Sequence, residues 1–236
     1  MNIKEFEIIF SKEIEKIIEN IIKDNKELPI SAKSRAWAEI SDFLENKFVE
    51  YTKDHHFLIN SKWAPKEKTK NPRDAKTYVK IWENDLEEIR IDFKAFKISK
   101  KDTNPDIWTP DKIIKFINQK NFYLVYIHVY YDEYGNWLKF VENNKKLVKS
   151  YLLKDIDKSF RRTPTNQLQI NWMKEPTYRT RAEFIKLLVQ KLKESYDREL
   201  EKIKKKKKEL DLNTLLKNNK ESEDILKKKL KNIEKI

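Results

Sequence analysis

The sequence contains no cysteine and only three histidines among its 236 residues. Without cysteine, the chain has no disulfides, no thiol nucleophile and no cysteine-ligated zinc. The three histidines, His55, His56 and His128, are too few to favour a histidine-based metal cage or a hydrolytic triad. Any catalysis must therefore use carboxylates and lysines, and carboxylates are ligands for the hard, oxygen-binding ion Mg²⁺.

Long apolar runs are also missing. No stretch approaches the roughly 20 apolar residues that span a bilayer, and the N-terminus has a charged amphipathic pattern unlike that of a signal peptide. We therefore expect a cytoplasmic protein that contacts no membrane. The hydrophobic fraction of 39% is sufficient for a real core, and the length suits one large domain or a domain with an extension.

The net charge is strongly positive, at +13. A basic excess indicates a phosphate-rich partner such as a nucleic acid. A chain this rich in Lys, Asn and Ile is also what an A·T-rich genome encodes, so charge alone leaves both interpretations open.

Hydrophobic periodicity predicts an α/β fold with a mixed sheet flanked by helices and a long C-terminal helix. The segment 121–131 is apolar on both faces, which is typical of a central strand covered on both sides. A globular domain over 1–203 would then precede a Lys-rich helical or frayed tail over 204–236. A helix is predicted over 2–24. A second begins at the N-cap Ser31, includes a buried Trp37 and ends at about Tyr51. A third runs from Pro110, capped by Thr109, to about 118, and a fourth begins at the capping box Thr180–Glu183. Strands are predicted over 77–82, 87–98, 121–131, 136–142, 147–153 and 165–173, with a loop over 52–76.

The strand over 87–98, "EEIRIDFKAFKI", carries charges among apolar neighbours. Alternation places Asp92 and Lys94 on one face, roughly 7 Å apart along the strand. An unpaired carboxylate removed from water costs several kcal/mol, so something must compensate it. Another acid, Asp74, stands just before the partner strand of the predicted hairpin.

Hydrolysis of a phosphodiester gives a reason for this set of residues. A metal ion stabilises charge on the phosphate and acidifies water, and carboxylates hold the metal. Asp74 and Asp92 would bind Mg²⁺, Lys94 would act on the attacking water, and Glu39 would join them from the edge of its helix. The alternatives are a buried ion pair for Asp92 with Lys94, and an ordinary helix pair for Glu39 with Arg35.

The set Pro72-Arg73-Asp74…Asp92-Phe93-Lys94 resembles the signature of the PD-(D/E)xK nuclease superfamily, especially type II restriction endonucleases. That signature usually has Pro and Asp adjacent, whereas Arg73 intervenes here. The adjacent pair Pro105-Asp106 follows the strand and is interpreted as loop. Further stretches resemble SwaI-type restriction enzymes across residues 31–190: "SRAWAEISDFLENKF", "APKEKTKNP", "IDFKAFKI", "NFYLVY", "YLLKDI" and "PTYRTR".

This resemblance implies a PD-(D/E)xK-like sheet and a type II restriction endonuclease with Mg²⁺ as cofactor and no small-molecule cofactor. It also implies a homodimer that cuts double-stranded DNA at the centre of a palindrome of eight base pairs, all A·T. Residues 1–203 would form the nuclease domain with its DNA-recognition elements integrated, and the tail adds little to the resemblance.

DNA binding needs two kinds of contact, since phosphate contacts position a protein and base contacts specify sequence. Asn and Gln pair with adenine edges, which suits the polar face of the strand over 165–173. The alternative for that face is a solvated edge strand. We expect base contacts from Gln167, Gln169 and Asn171, and phosphate contacts from Lys66, Lys68, Lys70, Arg161, Arg162, Arg179 and Arg181.

Two other functions compete with a restriction endonuclease. A structure-specific or repair nuclease would share the fold but would not read sequence. A non-catalytic nucleic-acid-binding protein would bind DNA through its basic tail without Mg²⁺-dependent nicking.

Overall fold

The computed structural model describes residues 2–31, 36–63, 74–81, 85–99, 104–119 and 122–233. Within these ranges the helices are α1 (Ile3–Asp24), α2 (Ala36–Tyr51), α3 (Pro110–Asn118), α4 (Arg181–Glu209) and α5 (Leu212–Ile233). The strands are β1 (Glu27–Ser31), β2 (Leu58–Trp63), β3 (Ala75–Lys80), β4 (Leu86–Lys97), β5 (Leu124–Tyr134), β6 (Trp137–Phe140), β7 (Val148–Leu152), β8 (Arg161–Arg162) and β9 (Leu168–Gln169).

Most of these strands form one mixed sheet. Its order is β1-β6-β5-β4-β3-β2, and β7 also pairs with β5. Strands β4 and β5 are parallel and joined through α3, whereas the other neighbours in the sheet are antiparallel. Strands β8 and β9 form a separate small sheet. The predicted α/β class with a mixed sheet and a long C-terminal helix is confirmed.

The main core contains residues of α1, α2 and one face of the sheet. Strand β4 contributes Ile89, Ile91 and Phe93 to this core, all buried. The ring of Phe93 lies 6.3 Å from that of Phe48 on α2, edge to face. Burying each such side chain contributes about 1.5–3 kcal/mol, and a slip of one residue would turn all three outwards. The core therefore fixes the opposite face of β4 as the one that carries Asp92 and Lys94.

The predicted start of the second helix is wrong. Ser31 belongs to β1, where it pairs with Trp137 of β6, and α2 begins at Ala36. Leu28 and Ile30 are buried, so burial and pairing with a distant strand outweigh the local capping signal. Trp37, predicted to be buried, is 57% exposed.

Two strand predictions also need correction. The predicted loop over 52–76 contains β2, the edge strand that pairs with β3. The predicted strand over 165–173 is reduced to β9, which pairs with β8 instead of joining the large sheet. Residues 64–73 lie outside the described ranges.

The other two predicted helix caps are confirmed. The Thr109 hydroxyl accepts a hydrogen bond from the Lys112 N–H at the start of α3. At the start of α4, the Glu183 N–H donates to Thr180 Oγ1 at 3.2 Å, and the Thr180 N–H donates to Glu183 Oε2 at 2.7 Å. Reciprocal bonds of this kind satisfy amides that a helix leaves without partners.

The chain divides into two compact units, Met1–Leu187 and Leu188–Ile236. The first unit contains both sheets. The second consists of the larger part of α4 and all of α5, and it is rich in lysine. Of the helices in the described ranges, none combines the length and apolar character that a bilayer crossing requires.

Candidate active site

Asp74 and Asp92 lie close together because β3 and β4 pair. Asp74 directly precedes β3, and its backbone N–H donates to the carbonyl of Ile91 at 2.9 Å. Its Oδ2 atom accepts a hydrogen bond from the Phe93 N–H at 2.7 Å. The two carboxyl groups are near enough to share a hydrogen bond. The predicted hairpin thus brings together the two acids that the sequence singled out.

Lys94 lies beside Asp92 on the same face of β4. Its Nζ atom is 3.0 Å from Asp92 Oδ1, and the two side chains are 25% and 7% exposed. The ion pair considered as an alternative from the sequence is therefore present. It places an ammonium group next to the acid pair.

The electrostatics of this cluster are dominated by burial. Burial raises the pKa of Asp74 well above its usual value, and the negative charge of Asp92 raises it further, against the opposing effects of Lys94 and the Phe93 N–H. Burial alone would lower the pKa of Lys94, but the charges of Asp92 and Asp74 outweigh it, and the pKa of Lys94 is raised. Two acids held close together in a poorly solvated site gain from a bound cation.

Strand β5 supplies the next side chains on this face of the sheet. Tyr126 pairs in register with Asp92, and His128 pairs with Lys94. His128 is fully buried, and its Nε2 atom lies 2.7 Å from the Tyr151 hydroxyl. The Tyr126 hydroxyl is buried without a hydrogen-bond partner among the described residues, a situation that costs about 1–3 kcal/mol. The sequence analysis missed Tyr126.

The pair Pro105-Asp106, interpreted as loop, also lies near the acid cluster. Asp106 forms an isolated bridge with Gln169. Its charge contributes to the raised pKa of Lys94. The loop that carries Asp106 is thus a neighbour of the site.

Glu39 is exposed on α2. The hydroxyl of Ser41, two residues further on, donates to the carbonyl of Phe93 at 3.3 Å, so this helix contacts β4 at the residue between Asp92 and Lys94, on the face opposite their side chains. The described residues nevertheless contain no group of three or more His, Asp or Glu that could hold a metal ion. Glu39 therefore does not form a cluster of three with Asp74 and Asp92, and its role as a ligand stays a prediction.

The acid pair fits a magnesium ion. Mg²⁺ is usually held in proteins by one or two carboxylates, with water and substrate phosphate oxygens as the remaining ligands. Asp74 and Asp92 supply two neighbouring carboxylates, and burial followed by the charge of Asp92 raises the pKa of Asp74. A third carboxylate is not needed for such a site.

Two of the predicted phosphate contacts lie in the small sheet. Arg161 is exposed, and its guanidinium donates to Gln169 Oε1 at 3.0 Å through Nη2. Arg162 donates to Asn166 Oδ1 at 2.6 Å. Three more of the predicted phosphate contacts, Lys66, Lys68 and Lys70, lie outside the described ranges.

The predicted base contacts take part in hydrogen bonds within the chain. Gln169 accepts from Arg161, and its amide donates to the carbonyl of Asn104 at 3.0 Å. Asn171 Oδ1 accepts from the Met173 N–H at 3.1 Å, and the N–H of the half-buried Gln167 donates to Thr163 Oγ1. These amides form part of a folded polar surface.

That polar surface lies on the same side of the sheet as the acid cluster. The ring of Trp172 stacks on Phe96 at 4.7 Å. Phe96 follows Lys94 by two residues on β4, so the two side chains project from the same face. The segment predicted to read bases is therefore held next to the segment predicted to cut.

The other two predicted phosphate contacts are half-buried. Arg179 donates to the carbonyl of Ile156 at 2.6 Å. The guanidinium of Arg181 lies over the rings of Tyr123 and Phe122, at 4.7 and 4.9 Å from their centroids. Both arginines thus have contacts within the chain.

Comparison with known proteins identifies a matching family. The family model described as SwaI-like, SwaI restriction endonuclease, matches residues 2–211. The match covers the large sheet, the acid cluster and the small sheet. No curated protein matches the chain.

Proposed function

The chain belongs to the SwaI-like restriction endonuclease family, and from that membership we propose how this type II restriction endonuclease cuts and recognises double-stranded DNA. Asp74, Asp92 and Lys94 form its catalytic centre, with Mg²⁺ as the cofactor. The observation that carries this proposal is the pairing of β3 with β4, which brings the two carboxylates together beside Lys94, whose ammonium lies 3.0 Å from Asp92 on the same strand.

The side chains divide two tasks, holding the metal ion and acting on the water. Asp74 and Asp92 hold the metal ion, and Glu39 joins them from α2. When bound, Mg²⁺ stabilises negative charge on the phosphate and acidifies water. Lys94 orients the attacking water through a hydrogen bond and, because its raised pKa keeps it charged, favours the hydroxide form.

The fold we propose is that of the PD-(D/E)xK nucleases. Asp74, with Arg73 between it and Pro72, takes the place of the first acid, and Asp92-Phe93-Lys94 supplies the remaining part of the signature. A mixed sheet with one acid on β4 and the other directly before the adjacent strand β3 supports this assignment. The nuclease domain covers residues 1–203, and the tail over 204–236 is not required for cutting.

Recognition uses the polar surface beside the centre. We assign base contacts to Gln167, Gln169 and Asn171, which suit adenine edges, and phosphate contacts to Lys66, Lys68, Lys70, Arg161, Arg162, Arg179 and Arg181. The site is a palindrome of eight A·T pairs cut at its centre. A palindrome is matched by a two-fold protein, so the enzyme acts as a homodimer.

One digestion tests the function. Sequenced genome-sized DNA is incubated with the enzyme and Mg²⁺, and the fragment ends are sequenced. We expect every end to fall at the centre of one A·T-only palindrome, with no cleavage in EDTA. Ends without a common sequence, or cutting confined to branched DNA, would favour a structure-specific nuclease instead. Binding without any nicking would leave only a DNA-binding protein.

A further inference from the structure

We propose that Tyr126 is a positioning residue of the catalytic centre, whose hydroxyl donates a hydrogen bond to the Asp92 carboxylate when that carboxylate holds a divalent cation. The inference rests on the proposed function, because it concerns the same pair of acids. It adds a residue that lies outside the D-x-K sequence and on a different strand.

The pairing of β4 with β5 places Tyr126 beside Asp92. The two strands are parallel, and these residues are partners in register. Side chains of partners in a sheet project from the same face, so the Tyr126 ring stands next to the Asp92 carboxylate. Tyr126 is fully buried, and its hydroxyl has no hydrogen-bond partner among the described residues. A buried hydroxyl without a partner requires an explanation, and a ligand-bound state that supplies the partner is one.

The register offers Tyr126 a carboxylate as its partner, because Asp92 is the residue beside it on β4. A tyrosine hydroxyl is protonated at neutral pH and can donate a hydrogen bond to a carboxylate. In the free enzyme Asp92 Oδ1 is engaged by Lys94. When Lys94 turns towards the water and Asp92 towards the cation, the carboxylate needs a donor that holds its orientation.

The neighbouring tyrosine is already engaged. The Tyr151 hydroxyl lies 2.7 Å from His128 Nε2. The pKa of His128 is held well below its usual value by burial and by the positive charges of Lys149 and Lys94, so that imidazole is neutral. The Tyr151 hydroxyl thus has a partner in His128 Nε2, and Tyr126 is the hydroxyl that remains for Asp92.

The test is the substitution Tyr126→Phe in the full chain, which deletes one oxygen atom. Binding of Mn²⁺ to the enzyme on a duplex that carries the recognition site with an uncleavable central linkage is measured from the paramagnetic resonance signal of free Mn²⁺. We expect the affinity for Mn²⁺ to fall by about 10- to 100-fold, as it does when groups that orient metal ligands are removed. The Mg²⁺ concentration needed for half-maximal cleavage should rise by a similar factor. DNA affinity in EDTA and the melting temperature should not fall.

The matched control is Tyr130→Phe. Tyr130 lies on the same strand and face, is also buried, and stands about 13 Å from Tyr126 along the strand. We expect this control to bind Mn²⁺ as the wild type does. The inference is overturned if Tyr126→Phe binds Mn²⁺ like the wild type, or if both variants lose affinity equally. A wild-type enzyme that neither binds Mn²⁺ nor cuts would instead overturn the proposed function itself.

Discussion

The backbone N–H of Phe93 donates a hydrogen bond of 2.7 Å to the Oδ2 atom of Asp74. Phe93 stands between Asp92 and Lys94, so this bond ties the acid that precedes β3 to the centre of the D-x-K sequence. On the other side, the carbonyl of Phe93 accepts from Ser41 of α2. The main chain of this one residue is therefore bonded both to Asp74 and to a helix. The position of Asp74 is fixed by main-chain geometry and does not depend on the ion pair.

The substitution Asp74→Asn should stabilise the metal-free protein while abolishing cleavage. Burial, followed by the charge of Asp92, raises the pKa of Asp74 above 3.8. As the pH rises through 3.8, the unfolded chain releases its proton first, so the free energy of unfolding falls until the folded Asp74 ionises too. Asn removes this loss and keeps the oxygen that accepts from Phe93. In EDTA we expect the variant to melt above the wild type at pH 8, with the difference shrinking towards pH 4.

The size of that effect can be read from melting temperatures. For a chain of this length, about 1 kcal/mol corresponds to about 2–4 °C. The matched control is Asp74→Ala, which removes the charge and also the acceptor for the Phe93 N–H. It should melt below Asp74→Asn at every pH. A variant Asp74→Asn that is less stable than the wild type at pH 8 would contradict the proposed strain between the two acids.

Lys94→Ala should reduce the rate of cleavage by about 10²- to 10⁴-fold, the range expected when a group that acts on the reacting water is lost. DNA binding in EDTA should change little. The measurement is single-turnover cleavage in saturating Mg²⁺, at a temperature where circular dichroism shows the variant folded. Lys97→Ala is the control, because Lys97 ends the same strand and pairs with Glu133 instead. Cleavage by Lys94→Ala within tenfold of the wild type would remove Lys94 from the mechanism.

Arg161→Ala and Gln169→Ala should separate phosphate contact from base reading. Loss of one phosphate contact lowers the slope of log K against log salt by about 1 and leaves sequence preference unchanged. Loss of a base contact reduces discrimination at one base pair by about 1–3 kcal/mol. Competition binding in EDTA, with duplexes altered at single positions, measures both. If Gln169→Ala weakens binding to all duplexes equally, Gln169 acts only as the support for Arg161.

A chain that ends at Asp211 should still cut DNA at the same site. The family match ends there, and α5 begins at Leu212. The exposed, lysine-rich α5 contributes to general attraction for DNA, so we expect a weaker affinity at low salt and unchanged fragment ends. Sequencing the ends produced by the full and the shortened chains checks this. Loss of cutting by a folded, shortened chain would assign α5 a necessary role.

The acid cluster was predictable because its signals are local. Alternation along β4 placed Asp92 and Lys94 on one face, and the core residue Phe93 between them confirms the register. The position of Asp74 was predictable because a hairpin between adjacent strands brings together residues that are close in the sequence. The buried face of a strand specifies short-range patterns of this kind, so the folded structure preserves them.

Other features depend on pairing between distant segments. Ser31 carries a good capping side chain, but β1 pairs with β6 more than 100 residues later along the chain. Strand β2 is an edge strand whose exposed side chains weaken its pattern, and its pairing with β3 is irregular between Ile59 and Lys62. The amino-acid sequence of neither segment indicates which strand it pairs with.

Tyr126 was missed for the same reason. The segment 121–131 reads as apolar on both faces, and its polar ring residues, Tyr126 and His128 among them, are typical of a core. Only the register of β5 against β4 shows that Tyr126 is the neighbour of Asp92. The sequence did contain a signal for it: Tyr126 places a hydroxyl in the middle of an apolar strand, and the neighbouring strand carries a carboxylate.

The ion pair between Lys94 and Asp92 has a consequence for how the enzyme travels along a genome. Before a cation binds, the two charges cancel within 3.0 Å. On the proposed function, we therefore expect a passing duplex to be held by the basic residues assigned to phosphate contacts, with the ion pair adding little to that attraction. Scanning and scission would then draw on different charged groups.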